Sequence, residues 1–292
     1  MSYKKRLDYA FKNAPVLPLH SHTKYVFFSD CHRGIGDNND NFSKNAVIYH
    51  AALQYYYQYG FTYIEAGDGD ELWENYCLKQ IMEAHCDVFS KFSQFHKDKR
   101  FYMLYGNHDI IKRKLPPMFT DCCFHEGLIL RSENPCISFR IAHGHQADFM
   151  NSVLWRFTRF LVRHLWAPLE SFGISDPTSA SKNNKKKSRI EKKFLTYAKE
   201  RNCHLLAGHS HRALLGTTDS PYHNCGSCVF PNYITCIELC GYNISLVKWY
   251  CGAEKSPHFH NVYAQCPPTF PIYVKREVLS TSSLTQPPPQ YQ

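Results

Sequence analysis

The sequence has no run of about 20 apolar residues, the length that a membrane-spanning helix needs. Its polar N-terminus, residues 1–13, contains no hydrophobic core of a signal peptide. Cysteine is plentiful, with 13 residues, but they are scattered, odd in number and unaccompanied by a secretion signal. These absences argue against a membrane-spanning protein and against a secreted disulfide scaffold. We therefore expect a cytoplasmic protein with reduced thiols.

Cys225 and Cys228 have the spacing of a metal or redox pair, but no second pair of this kind accompanies them. The chain is also short of acidic residues, with 25 Asp and Glu against 34 Lys and Arg, a formal net charge of +9. Such a balance suits anionic partners such as a nucleotide, a nucleic acid or a membrane surface. Residues 182–193 hold seven of the basic residues but no interleaved aromatics for base stacking. Nucleic acid is therefore the weaker candidate, and a solvated helix face or a flexible loop is the simpler interpretation of this run.

At 292 residues, the chain can bury a full core. Apolar runs at 25–29, 61–66 and 101–105 alternate with helical patterns at 43–59 and 74–96. This alternation predicts a parallel sheet with crossover helices. In such sheets, ligands bind beyond the carboxyl ends of the strands.

The second half of the chain has a different pattern. Strands are predicted at 137–142, 204–207, 229–239 and 242–250, the last two joined by a tight turn at Gly241. A pair of sheets covered by helices is therefore the expected α/β architecture.

We divide the chain into an N-terminal extension, 1–23, a main domain, 24–278, and a Pro/Ser/Gln-rich tail, 279–292, predicted to be disordered. A basic helical insertion is expected at about 149–202. Apolar residues from Val153 to Leu165 recur at helical spacing and predict a helix that packs on the core. The alternative is a basic amphipathic cap that meets a lipid or a membrane surface. Three arginines fall on another side of this helix, and they are candidate substrate-binding residues: Arg156, Arg159 and Arg163.

Five short polar clusters occur where apolar runs meet glycine-bearing turns. They are Asp30-Cys31-His32, Gly67-Asp68-Gly69-Asp70-Glu71, Gly106-Asn107-His108-Asp109, His143-Gly144-His145 and Gly208-His209-Ser210-His211. Carboxylate oxygen and imidazole nitrogen are ligands that suit Mn, Fe or Zn. Seven donor side chains, one of them shared, suffice for two adjacent metal ions, as in phosphatases and nucleases. These donors are Asp30, His32, Asp68, Asn107, His143, His209 and His211.

His108 directly follows the candidate ligand Asn107. A histidine in this place can protonate the leaving oxygen, and we expect Asp109 to fix its ring. His108 and Asp109 are therefore the candidate catalytic residues. Two divalent ions are the expected cofactors, with manganese first and iron, zinc or cobalt as alternatives.

The motifs DCH, GDGDE, GNHD, HGH and GHSH resemble the five blocks of the calcineurin-like metallophosphoesterase superfamily. The resemblance covers roughly residues 24–249 and implies a two-sheet sandwich flanked by helices. It implies two ligand sets that share one carboxylate, and it implies that His108 is the catalytic histidine. The first set is Asp30, His32, Asp68 and His211, and the second is Asp68, Asn107, His143 and His209.

Within that superfamily, the DELWEN and HGHQAD segments are similar to the UDP-2,3-diacylglucosamine pyrophosphatase group, in which a helical insertion covers the acyl chains. The chain departs from that group at His108, where GNRD is typical, and at His145, where HGD is typical. The expected function is metal-dependent hydrolysis of a phosphoester or pyrophosphate in a phosphorylated small molecule or a lipid-linked substrate. Another phosphomonoesterase, phosphodiesterase or nuclease remains an alternative. A non-catalytic binding module is disfavoured because every ligand position is filled.

Overall fold

The structure, a computed structural model, describes residues 1–133, 137–166, 184–253 and 272–284. The strands are β1 Val16–Leu19, β2 Lys24–Phe28, β3 Thr62–Ala66, β4 Phe101–Leu104, β5 Phe124–His125, β6 Gly127–Ser132, β7 Ser138–Ala142, β8 His204–Ala207, β9 Tyr222–Asn224, β10 Tyr233–Cys240, β11 Asn243–Ala253 and β12 Ile272–Ser283. The α-helices are α1 Tyr3–Phe11, α2 Ala46–Gln58, α3 Leu78–Ala84, α4 Cys86–Lys97, α5 Phe149–Ser152, α6 Trp155–Leu161 and α7 Asn184–Glu200.

The strands form two sheets. The seven-stranded sheet has the order β12-β11-β10-β2-β3-β4-β5, and the five-stranded sheet has the order β1-β6-β7-β8-β9. Strands β2 to β5 pair in parallel, as predicted, and β10, β11 and β12 extend that sheet with antiparallel pairs. In the five-stranded sheet, β7, β8 and β9 are parallel neighbours.

Three apolar clusters show how the layers stack. One lies between the two sheets and combines Phe27 and Ile64 with Phe139 and Leu206. A second packs α2 and α4 against the outer face of the seven-stranded sheet. A third packs α1 and α7 on the outer face of the five-stranded sheet. The fold is therefore an α/β two-sheet sandwich flanked by helices, as the sequence predicted.

The predicted helix at 74–96 is interrupted. Residues 78–84 and 86–97 form separate helices, and His85 between them has φ −119° and ψ 41°. The buried ring of His85 pairs with Asp40, with Nε2 2.8 Å from Oδ2. The break thus falls at a residue whose buried side chain is fixed by Asp40.

The ends of the domain differ from the expected boundaries. Residues before 24 form α1 and β1, and β1 pairs with β6 inside the five-stranded sheet. At the other end, β12 pairs with β11 as far as Ser283, so residues 279–283 are ordered in a sheet. The rest of the predicted disordered tail, 285–292, lies outside the described residues.

The predicted insertion has two unlike parts. α7 packs Phe194 and Tyr197 on the five-stranded sheet and is the crossover between the parallel strands β7 and β8. It contains most of the basic run 182–193, of which 182 and 183 lie outside the described residues. The added part is α5, α6 and a π-helical turn, Val162–Trp166.

Candidate metal centre

The five polar clusters converge at the carboxyl ends of five strands. Asp30 and His32 follow β2, Asp68 follows β3, and Asn107 follows β4. In the other sheet, His143 follows β7, and His209 and His211 follow β8. The edges of both sheets therefore meet where the sequence placed its metal ligands.

Asp30, His32 and His211 form the first donor group, in which the ligand atoms lie within 4.8 Å of one another. The Nε2 atom of His211 is 3.1 Å from Asp30 Oδ1, and that of His32 is 3.9 Å from the same oxygen. The Nε2 atoms of the two histidines face each other at 3.3 Å. Two ring nitrogens and a carboxylate oxygen directed at one point form a typical cation site.

Asp68, His143 and His209 form the second donor group. His143 Nε2 is 2.9 Å from Asp68 Oδ2, but the contact lacks hydrogen-bond geometry. Asn107 Oδ1 is also buried and has no hydrogen-bond partner among the described residues. A buried polar atom without a partner costs about 1–3 kcal/mol. A cation bound by the second donor group would satisfy His143 Nε2, so this donor set fits a metal ion.

The backbone of these ligands is unusual. Nine described residues other than glycine have positive φ, and five of them are predicted ligands. The five are Asp30 at 55°, His32 at 47°, Asp68 at 51°, His209 at 66° and His211 at 54°. A left-handed conformation in a residue other than glycine costs about 1–3 kcal/mol, and such residues cluster at functional sites. The strain marks this strand edge as a site built for a purpose other than stability.

Two motif glycines are required by close approach. A Cβ atom at Gly106 would lie 2.1 Å from Asp68 Oδ1, and one at Gly208 would lie 2.3 Å from Asp30 Oδ2. Any larger residue would displace a donor carboxylate. The glycines in the GNHD and GHSH motifs therefore make room for the ligands themselves.

Glu71 connects the first donor group to His108. One carboxylate oxygen accepts a hydrogen bond from His32 Nδ1, and the other accepts one from His108 Nδ1, each at 2.8 Å. Sequence reasoning placed Glu71 in a motif but gave it no role. Its position three residues after Asp68 is the only signal in the sequence, and it does not distinguish Glu71 from Asp70.

The predicted role of Asp109 is wrong. Its carboxylate does not hold the ring of His108; it accepts hydrogen bonds from the backbone N–H groups of Gly106 at 2.6 Å and Gly69 at 3.1 Å. Lys112 Nζ also donates to it, at 2.8 Å. Asp109 therefore ties together the two loops that carry the ligands, and Glu71 orients His108.

Asp109 belongs to a buried carboxylate group with Glu65 and Asp70. The protein's own cations already fill this group. Lys112 Nζ lies 2.6 Å from Asp70 and 2.8 Å from Asp109, while Arg33 pairs with Glu65 at 2.7 Å and with Asp70 at 2.6 Å. We therefore assign no metal to these three carboxylates.

The charges around the ligands shift their pKa values. Burial lowers the pKa of His32, but the Glu71 carboxylate outweighs it and raises the pKa to about 10. Burial also lowers the pKa of His143, but the carboxylates of Asp68 and Asp30 outweigh burial and raise this pKa to about 9. The pKa of His108 is raised in the same manner, against burial, by Glu71 and Asp68. Without a metal ion, His32 and His143 are therefore protonated at neutral pH.

Trp73 covers one face of His108. Their ring centroids are 4.1 Å apart and the planes are inclined by 24°. Trp73 itself is 2% exposed. The imidazole is therefore held by a carboxylate at Nδ1 and by an indole on its face, which leaves Nε2 as the ring nitrogen that a substrate can reach.

The three candidate arginines have different surroundings. All three line one cavity of about 280 Å³, together with Trp155, Phe160 and His164. Arg156 is exposed, and burial together with Arg163 lowers the pKa of Arg159. Arg163 donates to backbone carbonyl groups of residues 72–75, a structural role that the sequence did not predict. Substrate binding by Arg156 and Arg159 stays a prediction.

The Cys225 and Cys228 thiols are buried, and burial raises the pKa of each. The backbone N–H of Cys225 bonds to Ala207 and that of Cys228 bonds to Asp30. Among the described ranges, neither cysteine joins a group of three potential metal ligands. These contacts give the loop a structural role beside β8 and the first donor group.

No family model matches the chain, and no curated protein matches it. Solved structures are similar at low identity. Vps29 from Chaetomium thermophilum has a TM-score of 0.41 and 9% identity, covering 89% of this chain and 98% of that one. A cold-active protein tyrosine phosphatase has a TM-score of 0.40 and 12% identity, covering 80% and 78%. Similarity this low does not bear on function, so we argue function from the residues of the site.

Proposed function

We propose that this chain is a metal-dependent phosphoesterase that hydrolyses a phosphoester or pyrophosphate bond with two divalent ions. The observation that carries the proposal is the convergence of two nitrogen and oxygen donor groups, with His108 beside them, at one strand edge. This agrees with the resemblance of the five motifs to the calcineurin-like metallophosphoesterases. The left-handed backbone at five ligand positions supports it independently.

The donor groups define which residues would hold each ion. Asp30, His32 and His211 would bind one, while His143 and His209 would bind the other. We propose that Asn107 completes the second set and that the two sets share Asp68, as the resemblance of the motifs implies. Manganese suits these mixed donors, as do iron, zinc and cobalt. When bound, the ions would lower the pKa of a water between them and neutralise phosphoryl oxygens.

His108 is the proposed general acid. Glu71 keeps its Nδ1 occupied and, against burial, raises its pKa, which favours the protonated ring, in which Nε2 can donate to the leaving oxygen. Trp73 prevents the ring from rotating out of this orientation. The protein thus supplies the proton at a fixed atom.

The proposed substrate is a lipid- or sugar-nucleotide pyrophosphate, with UDP-2,3-diacylglucosamine as the reference compound. A cavity of about 390 Å³ beside the loop of Glu71 supports an apolar substituent. Its walls are mainly apolar, and Arg159 and Lys79 add positive charge. The wall residues include Leu72, Tyr76, Met82, Ile111, Leu115 and Met118.

A substrate panel tests the proposal. The purified protein, loaded with Mn²⁺, is incubated with UDP-2,3-diacylglucosamine, a simple nucleotide sugar, p-nitrophenyl phosphate, its diester and single-stranded RNA. Release of UMP from the lipid compound, faster than from the simple nucleotide sugar, is the expected result. Turnover of the small esters or RNA alone would retain the phosphoesterase and reject the lipid substrate. A folded protein that binds two ions and hydrolyses none of them would refute both.

We also propose that the added part of the insertion contacts a membrane surface. Four of its apolar side chains face outward: Phe149, Val153, Phe157 and Phe160 are 56%, 49%, 55% and 59% exposed. The sequence had instead predicted that the apolar side of this helix packs on the core. Arg156 is exposed among them, which suits anionic lipid. Within the described residues, no helix is long and apolar enough to cross a bilayer, so the contact would be peripheral.

Vesicle sedimentation tests this contact. The protein should sediment with phosphatidylcholine vesicles that contain phosphatidylglycerol, and Phe157→Ser with Phe160→Ser should abolish it. Tyr9→Ser removes an aromatic side chain that is 64% exposed elsewhere, on α1, and serves as the control. Equal sedimentation of both variants would contradict the assignment of this surface.

A further inference from the structure

One arginine of the insertion forms hydrogen bonds with the loop that follows Glu71, residues 72–76. Arg163 lies in the π-helical turn Val162–Trp166. Its Nε donates to the carbonyl oxygen of Trp73 at 2.6 Å, and its Nη2 donates to those of Leu72 at 3.1 Å and Asn75 at 3.2 Å. A single guanidinium thus satisfies three carbonyl groups within four residues, which its rigid planar fork allows.

Arg163 also contacts an aromatic ring of the same loop. The guanidinium carbon of Arg163 lies 3.9 Å from the centroid of the Tyr76 ring, at a cation–π distance. Hydrogen bonds from a charged donor are roughly twice as strong as those between neutral groups. The loop 72–76 is therefore bound to the insertion more firmly than by apolar packing alone.

Loop 72–76 and the adjacent Glu71 orient His108. Glu71 accepts from His108 Nδ1, and the Trp73 ring stacks on the imidazole. Glu71 Oε1 also accepts from the backbone N–H of Trp73 at 3.2 Å, and Asn75 donates to the Glu71 carbonyl. Glu71 and Trp73 are thus parts of one turn, with His108 on one side and Arg163 on the other.

We infer that Arg163 is a positioning residue: it docks the insertion on loop 72–76 and thereby fixes Glu71 and Trp73 against His108. Turnover then depends on a docked insertion, although Arg163 touches neither donor group. The inference rests on the proposed role of His108 as the general acid. Misplacing a catalytic group by about 1 Å costs on the order of 100-fold in rate, so a loosened turn should be visible in kcat.

Substitutions at Arg163 and at one exposed arginine elsewhere in the fold test the inference. Arg163→Ala should lower kcat for a small phosphodiester by about tenfold to 100-fold, with KM unchanged and two Mn²⁺ retained per chain. Arg163→Lys should be intermediate, because one ammonium cannot reach three carbonyl groups, and it serves if Arg163→Ala does not fold. Arg131→Ala is the control, because that arginine is exposed on β6, where it lies opposite Ser138 of β7. Wild-type kcat in Arg163→Ala, or an equal loss in Arg131→Ala, would overturn the inference.

A second readout does not depend on turnover. Trp73 is buried, so acrylamide should quench its fluorescence more strongly in Arg163→Ala than in Arg131→Ala or wild type. The signal of Trp73 is obtained by subtracting a matched protein with Trp73→Phe, because the chain has four tryptophans. Unchanged quenching in Arg163→Ala would overturn the inference even if kcat fell. If the wild type hydrolyses nothing, the proposed function fails, while the quenching still decides whether Arg163 holds the loop.

Discussion

Glu71→Gln should separate general acid catalysis by His108 from metal binding by the donor groups. Glu71 holds two histidines, and a glutamine cannot accept from both, because its amide nitrogen would face the N–H of one ring. At least one charge-assisted hydrogen bond is lost, worth about 1.5–3 kcal/mol. The carboxylate that opposes burial disappears too. The pKa of His108 should therefore fall, since burial alone lowers it.

The consequence for catalysis follows from the direction of that shift. The general acid must be protonated, so a lower pKa for His108 moves the alkaline limb of the kcat profile toward acid. Loss of general acid catalysis at neutral pH costs about 100- to 10,000-fold. Residual activity should be greatest at the acid end of the profile.

The assay is the pH dependence of kcat for bis(p-nitrophenyl) phosphate at saturating Mn²⁺. Saturation is needed because His32, which Glu71 also supports, is a proposed ligand and its metal affinity should weaken. Glu238→Gln is the control: that buried carboxylate pairs with Arg276 in a separate ion pair. It should lower stability without moving the limb. If Glu71→Gln retains the wild-type profile, the assignment of Glu71 and His108 is refuted.

Three further predictions concern the metal and the loops. His108→Ala should keep two Mn²⁺ and lose most turnover, whereas Asp68→Ala should lose metal as well. Elemental analysis measures the metal content of the two proteins. Equal metal loss would contradict the assignment of His108 as a residue that is not a metal ligand. Asp109→Asn should destabilise the fold by about 1–3 kcal/mol, as expected when a buried donor loses its partner while Lys112 keeps Asp70, and urea unfolding that matches wild type would disprove its structural role. Metal binding at pH 7 should release protons, because the pKa values of His143 and His32 are about 9 and 10 in the metal-free protein. The same shifts mean that affinity rises with pH up to that range; calorimetry in buffers of different ionisation enthalpy measures the release, and a heat that is the same in every buffer would count against it.

The strand edge was predictable from the sequence, and the details around it were not. Asp30 and Asp68 follow the buried strands β2 and β3, whose parallel pairing brings their carboxyl ends to one edge. His143 follows β7 of the other sheet, and the stacking of the two sheets brings it to Asp68. Asp109 adjoins His108 in sequence, yet the short turn sends its carboxylate back to the backbone of its own loop and toward Lys112. Glu71, in the loop after the neighbouring strand β3, holds the ring of His108 in place of Asp109. Sequence spacing does not encode such contacts between loops.

The insertion illustrates the same limit. Helical periodicity separated an apolar side from an arginine side, but it could not say which side faces the protein. The structure turns Phe157 and Phe160 outward and Arg163 inward. Strands β1 and β12 were missed for other reasons: β1 contains a proline, Pro18, and the end of β12 is a Ser- and Thr-rich run that we assigned to the disordered tail.

The left-handed backbone of the ligands also restricts how this centre could evolve. Asp, Asn and His tolerate positive φ better than most residues, and five ligands that require it are Asp or His. A change to Cys or Glu at Asp30 or His209 would add backbone strain to the change of donor atom. At these five positions, single substitutions should therefore favour oxygen and imidazole donors over thiolate. The conformation of the main chain thus biases the choice of metal at the predicted centre.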